Sequence, residues 1–316
     1  GYLSVFIPSL NTSPLYSIIT GLSIIWLLTW INSKEIKTIG FVQKITVILK
    51  VIPIILVGII GIFFIDFNNF YLLDISNDFS FNSITVTTTL TFFAFLGMES
   101  ATIPSDKINK PNSIIKKATL YGTIFTIIIY ILSSISIMGI IPPTTLAQSS
   151  APFADAAEVI AGDYSRKVIA LGAIIATIGA LNGWILIQGQ IPMAASKDKL
   201  FPRFFSKTNN NKSPVFGIIL SSLLISILLL FSYSKTLVEA FTFMIKLSTL
   251  SVITPYLFST ASLAVLSKRK FNRLFISFLA FIFSIWIIIG CGIETIKLGM
   301  IMLIAGIPFY FWFKRK

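Results

Sequence analysis

Apolar residues in this chain come in long runs broken by short polar segments, not in strict alternation. The runs fall at 15–31, 46–65, 81–103, 118–141, 168–195, 215–232, 238–266, 274–290 and 296–313. A helix needs roughly 20 apolar residues to cross a bilayer, and most of these runs reach or approach that length. The pattern predicts nine full crossings. The apolar stretch 2–10 is too short to cross and reads as the last turns of a helix whose beginning is missing. With no initial Met, the chain is expected to be a fragment of a longer protein. Residues 11–14 read as a polar turn, and Pro142-Pro143 ends the fourth crossing. Residues 151–163, with Asp155 and Glu158, predict a short surface helix.

The charges sort with the crossings. Alternate loops carry Lys34, Lys37 and Lys44; Lys107, Lys110, Lys116 and Lys117; Lys197, Lys199, Arg203, Lys207 and Lys212; and Lys268, Arg269, Lys270 and Arg273. The chain ends in Lys314-Arg315-Lys316. Of the 25 Lys and Arg residues, only Arg166, Lys167, Lys235 and Lys297 fall in the intervening loops. Lys246 lies within a run and Lys50 near the start of one. The positive-inside rule then makes the basic loops and the C-terminus cytoplasmic. The net charge of +13 is explained by topology and by an anionic inner leaflet, so nucleic acid is not an expected partner.

Composition agrees and removes several chemistries. The chain is 55% hydrophobic and 12% charged, outside the range of an ordinary soluble domain. It has one cysteine, Cys291, and no histidine. Disulfide frameworks, His-based triads and His or Cys metal sites are therefore excluded. No nucleotide motif or metal-ligand cluster occurs, and no cofactor is expected. A membrane-embedded enzyme lacks a nucleophile motif or paired intramembrane carboxylates to work with.

Chemistry concentrates in Thr91–Ser100, inside the third run. Glu99 is a carboxyl at membrane depth, costly unless neutral or paired. Gly97 offers backbone freedom that a continuous helix does not need. Together they predict a helix broken within the membrane, where unwound backbone holds a polar ligand; a simple kink with Glu99 near the interface is the plainer alternative. Trp184 is central in its run, flanked by Gly179, Asn182 and Gly183, and offers either an aromatic face for a cation or core packing. Lys246 precedes a polar stretch through Ser248, Thr249, Ser251, Thr254, Pro255 and Tyr256. Hydroxyls bonding back to their own helix explain part of that polarity, and a lined pathway explains it as well. The glycines at 162, 172, 179, 183 and 189 read as helix-packing positions.

Five segments carry a family resemblance: TFFAFLGMESA at 91–101, SIMGIIP at 136–142, APFADAA at 151–157, NGWILIQGQIPMAASKDK at 182–199 with Leu200-Phe201-Pro202, and Pro255-Tyr256. In combination they resemble the amino acid–polyamine–organocation transporters, and look most like the bacterial arginine/agmatine antiporters. The resemblance implies an all-α membrane protein, a transporter bundle of two inverted five-helix repeats with two further helices. Residues 1–10 would be the tail of its third helix, 11–66 the rest of the first repeat, 81–266 the second repeat and 271–316 the last two helices. Helices one and two and most of three would be absent from this single transmembrane domain.

In that frame Phe93, Ala94, Leu96 and Gly97 match substrate-facing residues of the broken sixth helix. Glu99 matches an acid implicated in proton-sensitive gating. Trp184 matches an aromatic that stacks on a guanidinium, and Ser248 and Tyr256 match substrate-side and gate positions of the tenth helix. Lys50 resembles a lysine that stands in for a sodium ion in proton-coupled relatives. Two departures are visible: Phe93 stands where arginine/agmatine antiporters have Trp, and Lys246 is an added cation. The implied function is secondary-active exchange of basic amino acids or amines by alternating access, in the bacterial inner membrane, with homodimers known in the family. A proton-coupled neutral amino acid permease and an inactive truncated remnant are the competing readings.

Overall fold

The computed structural model describes residues 1–34, 39–71, 81–97, 111–210, 213–231, 236–266 and 271–314. Among the described residues every regular element is helical. In chain order these are α1 (Ser9–Thr12), α2 (Pro14–Lys34), α3 (Ile39–Gly61), α4 (Asn68–Tyr71), α5 (Phe81–Phe93), α6 (Pro111–Ile140) and α7 (Pro143–Leu146). They continue as α8 (Pro152–Ala161), α9 (Asp163–Lys197), α10 (Val215–Phe231), α11 (Leu237–Leu266), α12 (Phe271–Gly290) and α13 (Ile293–Lys314). By length and hydropathy, α2, α6, α11 and α12 and the α8–α9 stretch qualify as membrane spans among the described residues. Shorter apolar helical segments cover Val51–Phe64 and Val215–Phe231.

Most helix limits follow the apolar runs within a few residues, although α3 and α6 start seven residues before their runs, at Ile39 and Pro111; two stretches differ further. The N-terminal segment is not one continuous helical tail. It is a 3-10 turn at Tyr2–Val5 followed by the single turn of α1. Pro8 and Pro14 lack amide hydrogens and restrict their neighbours, which chops this stretch into short pieces. Within the third run α5 ends at Phe93 and residues 94–97 form a turn, although the sequence stays apolar.

Tertiary contacts group the chain into two units. The first comprises Gly1–Asp74, Ile129–Val238 and Ile307–Lys316. Its centre is α9, which packs against α2, α3, α8 and α10. One core cluster joins Val57, Ile137, Ile140, Ile141, Ala156, Ala157 and Ile169; another joins Leu28, Ile185 and Ile218. Helices approach closely where glycine leaves room. A Cβ on Gly217 would stand 3.1 Å from the Gly189 carbonyl oxygen, and one on Gly172 would meet Pro53 at 3.0 Å. Gly162 differs from the packing glycines expected around it. It has φ +81° with open space about it, and makes the turn from α8 into α9. That backbone conformation suits glycine better than any residue with a Cβ.

Polar side chains tie α2, α9 and α10 inside this unit. Asn32, fully buried, donates from Nδ2 to Asn182 Oδ1 at 2.7 Å and to Leu28 O at 2.8 Å. Thr29 Oγ1 and Ser222 Oγ lie 2.6 Å apart, and Ser213 Oγ donates to Asn32 O at 2.8 Å. Bonds between helix faces in an apolar surround fix helix rotation as well as distance.

The second unit comprises Ile75–Ile128 and Glu239–Gly306. Its clearest seam joins α5 to α12. Trp286 Nε1 donates to Thr85 Oγ1 at 2.9 Å, and Thr89 Oγ1 donates to Ile287 O at 3.2 Å. Phe81 stacks on Trp286 with ring centres 6.1 Å apart, and Phe92 meets Phe283 edge-on at 5.5 Å.

Candidate functional site

The break at the end of α5 is the site's central feature. After Phe93 the backbone tightens. The amides of Ala94, Phe95 and Leu96 donate to the carbonyls of Thr91, Phe92 and Phe93, three residues back, at 3.1, 2.9 and 3.1 Å. Gly97 follows at φ +102°. A residue with a Cβ is disfavoured there, so the glycine permits the chain to leave the helical path. Phe93 and Leu96 are half-buried and Ala94 is exposed. The C-terminal end of a helix carries the negative pole of its dipole, which suits an ammonium or guanidinium group. Glu99 lies outside the described residues.

The α5–α12 seam holds this end in place. Thr85 and Thr89 are buried and their hydroxyls also bond back to Phe81 O and Thr85 O at 2.8 and 2.9 Å. Gly290 lets the helices touch: a Cβ there would overlap Thr89 Oγ1 and stand 2.7 Å from the Thr85 carbonyl oxygen. The threonines spaced four apart face one side of α5. That spacing was readable in the sequence, but its partner on α12 was not.

On α11, in the same unit, Ser248 is exposed and Lys246 and Tyr256 are half-buried. Much of the polar stretch satisfies itself along the helix. Ser251 donates to Leu247 O at 2.9 Å, Thr254 to Leu250 O at 2.8 Å and Ser259 to Pro255 O at 2.9 Å. Thr249 is the exception: it is fully buried and its hydroxyl makes no hydrogen bond among the described residues. Pro255, inside α11, removes an amide from the helical ladder.

Trp184 and Lys50 belong to the first unit. Trp184 is 44% exposed although Asn182, Gly183 and Ile185 beside it on α9 are buried. The Asn32–Asn182 bond, two residues away, fixes which face of α9 turns inward and leaves the indole on the other. Lys50 lies in α3 three residues before Pro53, and its side chain is outside the described set. Phe93 at the end of α5, Ala94, Leu96 and Gly97 in the turn after it, and Ser248 and Tyr256 on α11 all belong to the second unit. Asn32, Thr85 and Thr89 are the supporting residues that sequence reasoning did not single out.

Trp286 packs between α5 and α12 through its stacked ring and indole N–H. Among the described residues no group of His, Cys, Asp and Glu could hold a metal ion.

The amino acid permease family profile matches residues 1–311. The chain is 30% identical over 307 residues to the putrescine transporter PotE of Haemophilus influenzae, covering 94% of this chain and 70% of that protein. It is 30% identical over 325 residues to the arginine/agmatine antiporter of Chlamydia felis, covering 95% of this chain and 65% of that one. The putrescine transporter PotE of Escherichia coli K12 is 29% identical over 312 residues, again with 95% of this chain and 70% of the relative covered. The chain therefore spans 65% to 70% of the length of these relatives. With its long apolar helices and a match over nearly all of its length, this multi-pass membrane protein belongs to the amino acid permease family.

Proposed function

We propose that this protein exchanges basic amino acids or amines across the bacterial inner membrane by alternating access, with its C-terminus in the cytoplasm. The observation that carries the proposal is the end of α5 at Phe93 and the turn through Gly97 at φ +102° within an apolar run. A helix that stops inside an apolar layer creates polar backbone where a small charged substrate needs it. The negative pole of α5 favours a cationic substrate. The relatives' names, a putrescine transporter and an arginine/agmatine antiporter, point to the same chemical class. In this reading Phe93, Ala94, Leu96, Gly97 and Ser248 face the substrate, and Trp184 stacks on its cationic end. Glu99, Tyr256 and Lys50 couple gating to protons.

Lys246 favours one competing reading. A fixed cation two residues from Ser248 opposes a dicationic substrate if it faces the binding cavity, which supports transport of a neutral amino acid. Uptake into proteoliposomes distinguishes them, using protein expressed from its complete reading frame and labelled putrescine, agmatine, arginine, lysine and alanine. Exchange of basic amino acids or amines predicts uptake of one or more of the first four over alanine. It further predicts that Trp184→Ala weakens their uptake more than tenfold. Preferential uptake of alanine, with Trp184→Ala unchanged on basic substrates, would favour the neutral permease.

A further inference from the structure

We propose that the connection between α9 and α10 is a docking surface for anionic phospholipid headgroups. The proposal needs only that the chain lies in a membrane, and it does not depend on the exchanged substrate. Lys197, Lys199, Arg203 and Lys207 are all exposed here, against a single acid, Asp198, in the same stretch. Among the described residues none of the four makes an ion pair. Leu200 and Phe204, at 52% and 46% exposure, stand among them. Cations interleaved with exposed apolar side chains, between the ends of two apolar helices, match a headgroup region that is anionic above and greasy below. A polyphosphate or nucleic acid in water offers the charge but nothing for Leu200 and Phe204.

The surface is built rigidly. Phe204 and Phe205 pack edge-on against Phe216 of α10, with ring centres 4.8 and 4.9 Å away. Ser196 Oγ donates to Pro202 O at 2.7 Å, and the Leu200 amide returns to Ala195 O at 2.9 Å. Lys199 sits at φ +61°, alone among the described non-glycine residues in having a positive φ. Glycine would hold this conformation with less strain. A lysine kept at a strained position, with its side chain exposed among other cations, points to work for that side chain. The loop charges predict that this surface lies at the inner leaflet, where anionic lipid attracts it.

The test compares lipid binding by the purified full chain in detergent, titrated with phosphatidylglycerol or phosphatidylcholine and read by native mass spectrometry. Phosphatidylglycerol should bind at least five-fold more tightly than phosphatidylcholine. Arg203→Gln and Lys207→Gln should each weaken it about five-fold, as expected for one cation lost near an anionic surface. Lys199→Gly should weaken it similarly while raising the thermal midpoint, which separates lost binding from lost folding. Lys167→Gln, at the opposite end of α9 and paired there with Asp163, should leave binding unchanged. Equal affinity for the two lipids, or unchanged phosphatidylglycerol binding in Lys199→Gly and in an Arg203→Gln/Lys207→Gln double variant, overturns the proposal. So does displacement of the lipid by equimolar pyrophosphate, which would make this a site for soluble anions.

Discussion

Gly290→Ala tests whether α12 is the buttress of the broken helix. The added Cβ would overlap Thr89 Oγ1, stand 2.7 Å from the Thr85 carbonyl oxygen and 3.0 Å from Thr89 Cβ. The hydroxyl can rotate, but the carbonyl belongs to the α5 backbone. The helices must separate by about 0.7 Å to restore an ordinary contact. Overpacking of this kind costs about 1–3 kcal/mol. Separation also weakens the Trp286–Thr85 and Thr89–Ile287 bonds, each worth about 0.6 kcal/mol in a membrane interior. Better helix propensity returns up to about 1 kcal/mol. The net expectation is a loss of about 1–3 kcal/mol, measured by unfolding of the detergent-solubilised protein. Gly122→Ala is the reference, because nothing lies within 4 Å of its new Cβ and only the propensity gain applies. Adding Thr89→Ala to Gly290→Ala should recover part of the loss. If Gly290→Ala were as stable as Gly122→Ala, the account of the α5–α12 seam would be wrong.

Other expectations rest on separate contacts. Gly97→Ala must place a Cβ at φ +102°, a strain of about 1–3 kcal/mol; transport should fall steeply while the protein still folds, and wild-type transport would contradict the role given to the break. Asn32→Leu removes the donor to Asn182 Oδ1 and should lower stability by about 1–2 kcal/mol, seen as an earlier thermal transition. Cys291 lies in the turn between α12 and α13, and burial pushes its thiol up to about 11, against the opposing pull of the Lys246 charge. Thiolate is therefore scarce near neutral pH and the thiol is buried, so maleimide labelling should be much slower in folded than in unfolded protein and should rise with pH. Arg166→Gln removes ion pairs to Asp155 and Glu158 at 3.3 and 3.1 Å. Those groups are partly exposed, so the loss should stay below about 1 kcal/mol and vanish in about 1 M salt.

Much of the helix layout was legible because a span's length is a property of one segment. The runs at 15–31, 215–232 and 238–266 became α2, α10 and α11 with ends shifted by only a few residues. The end of α5 was legible only in part. Gly97 marked the departure from helix, but the 81–103 run gave no sign that the helix would stop as early as Phe93. The N-terminal stretch was misjudged because its hydropathy suggested a helical tail while its prolines divided it.

Pairings between helices were the least legible. Asn32 and Asn182 are 150 residues apart, and Thr85 and Trp286 are 201 apart. Whether such residues meet depends on the rotation and crossing of two helices, which no local pattern encodes. Gly162 shows the same limit from the other side: it resembled its neighbouring packing glycines until its backbone conformation was known.

The central claim, exchange of a cationic substrate at the broken end of α5, is tested most directly by trans-stimulation. Labelled arginine and putrescine are offered to proteoliposomes that are either empty or preloaded with the same unlabelled compound. The account predicts rapid uptake of at least one of them into preloaded vesicles, little into empty ones, and loss of this difference in Gly97→Ala. Equal uptake into empty and preloaded vesicles, or exchange undiminished by Gly97→Ala, would contradict it.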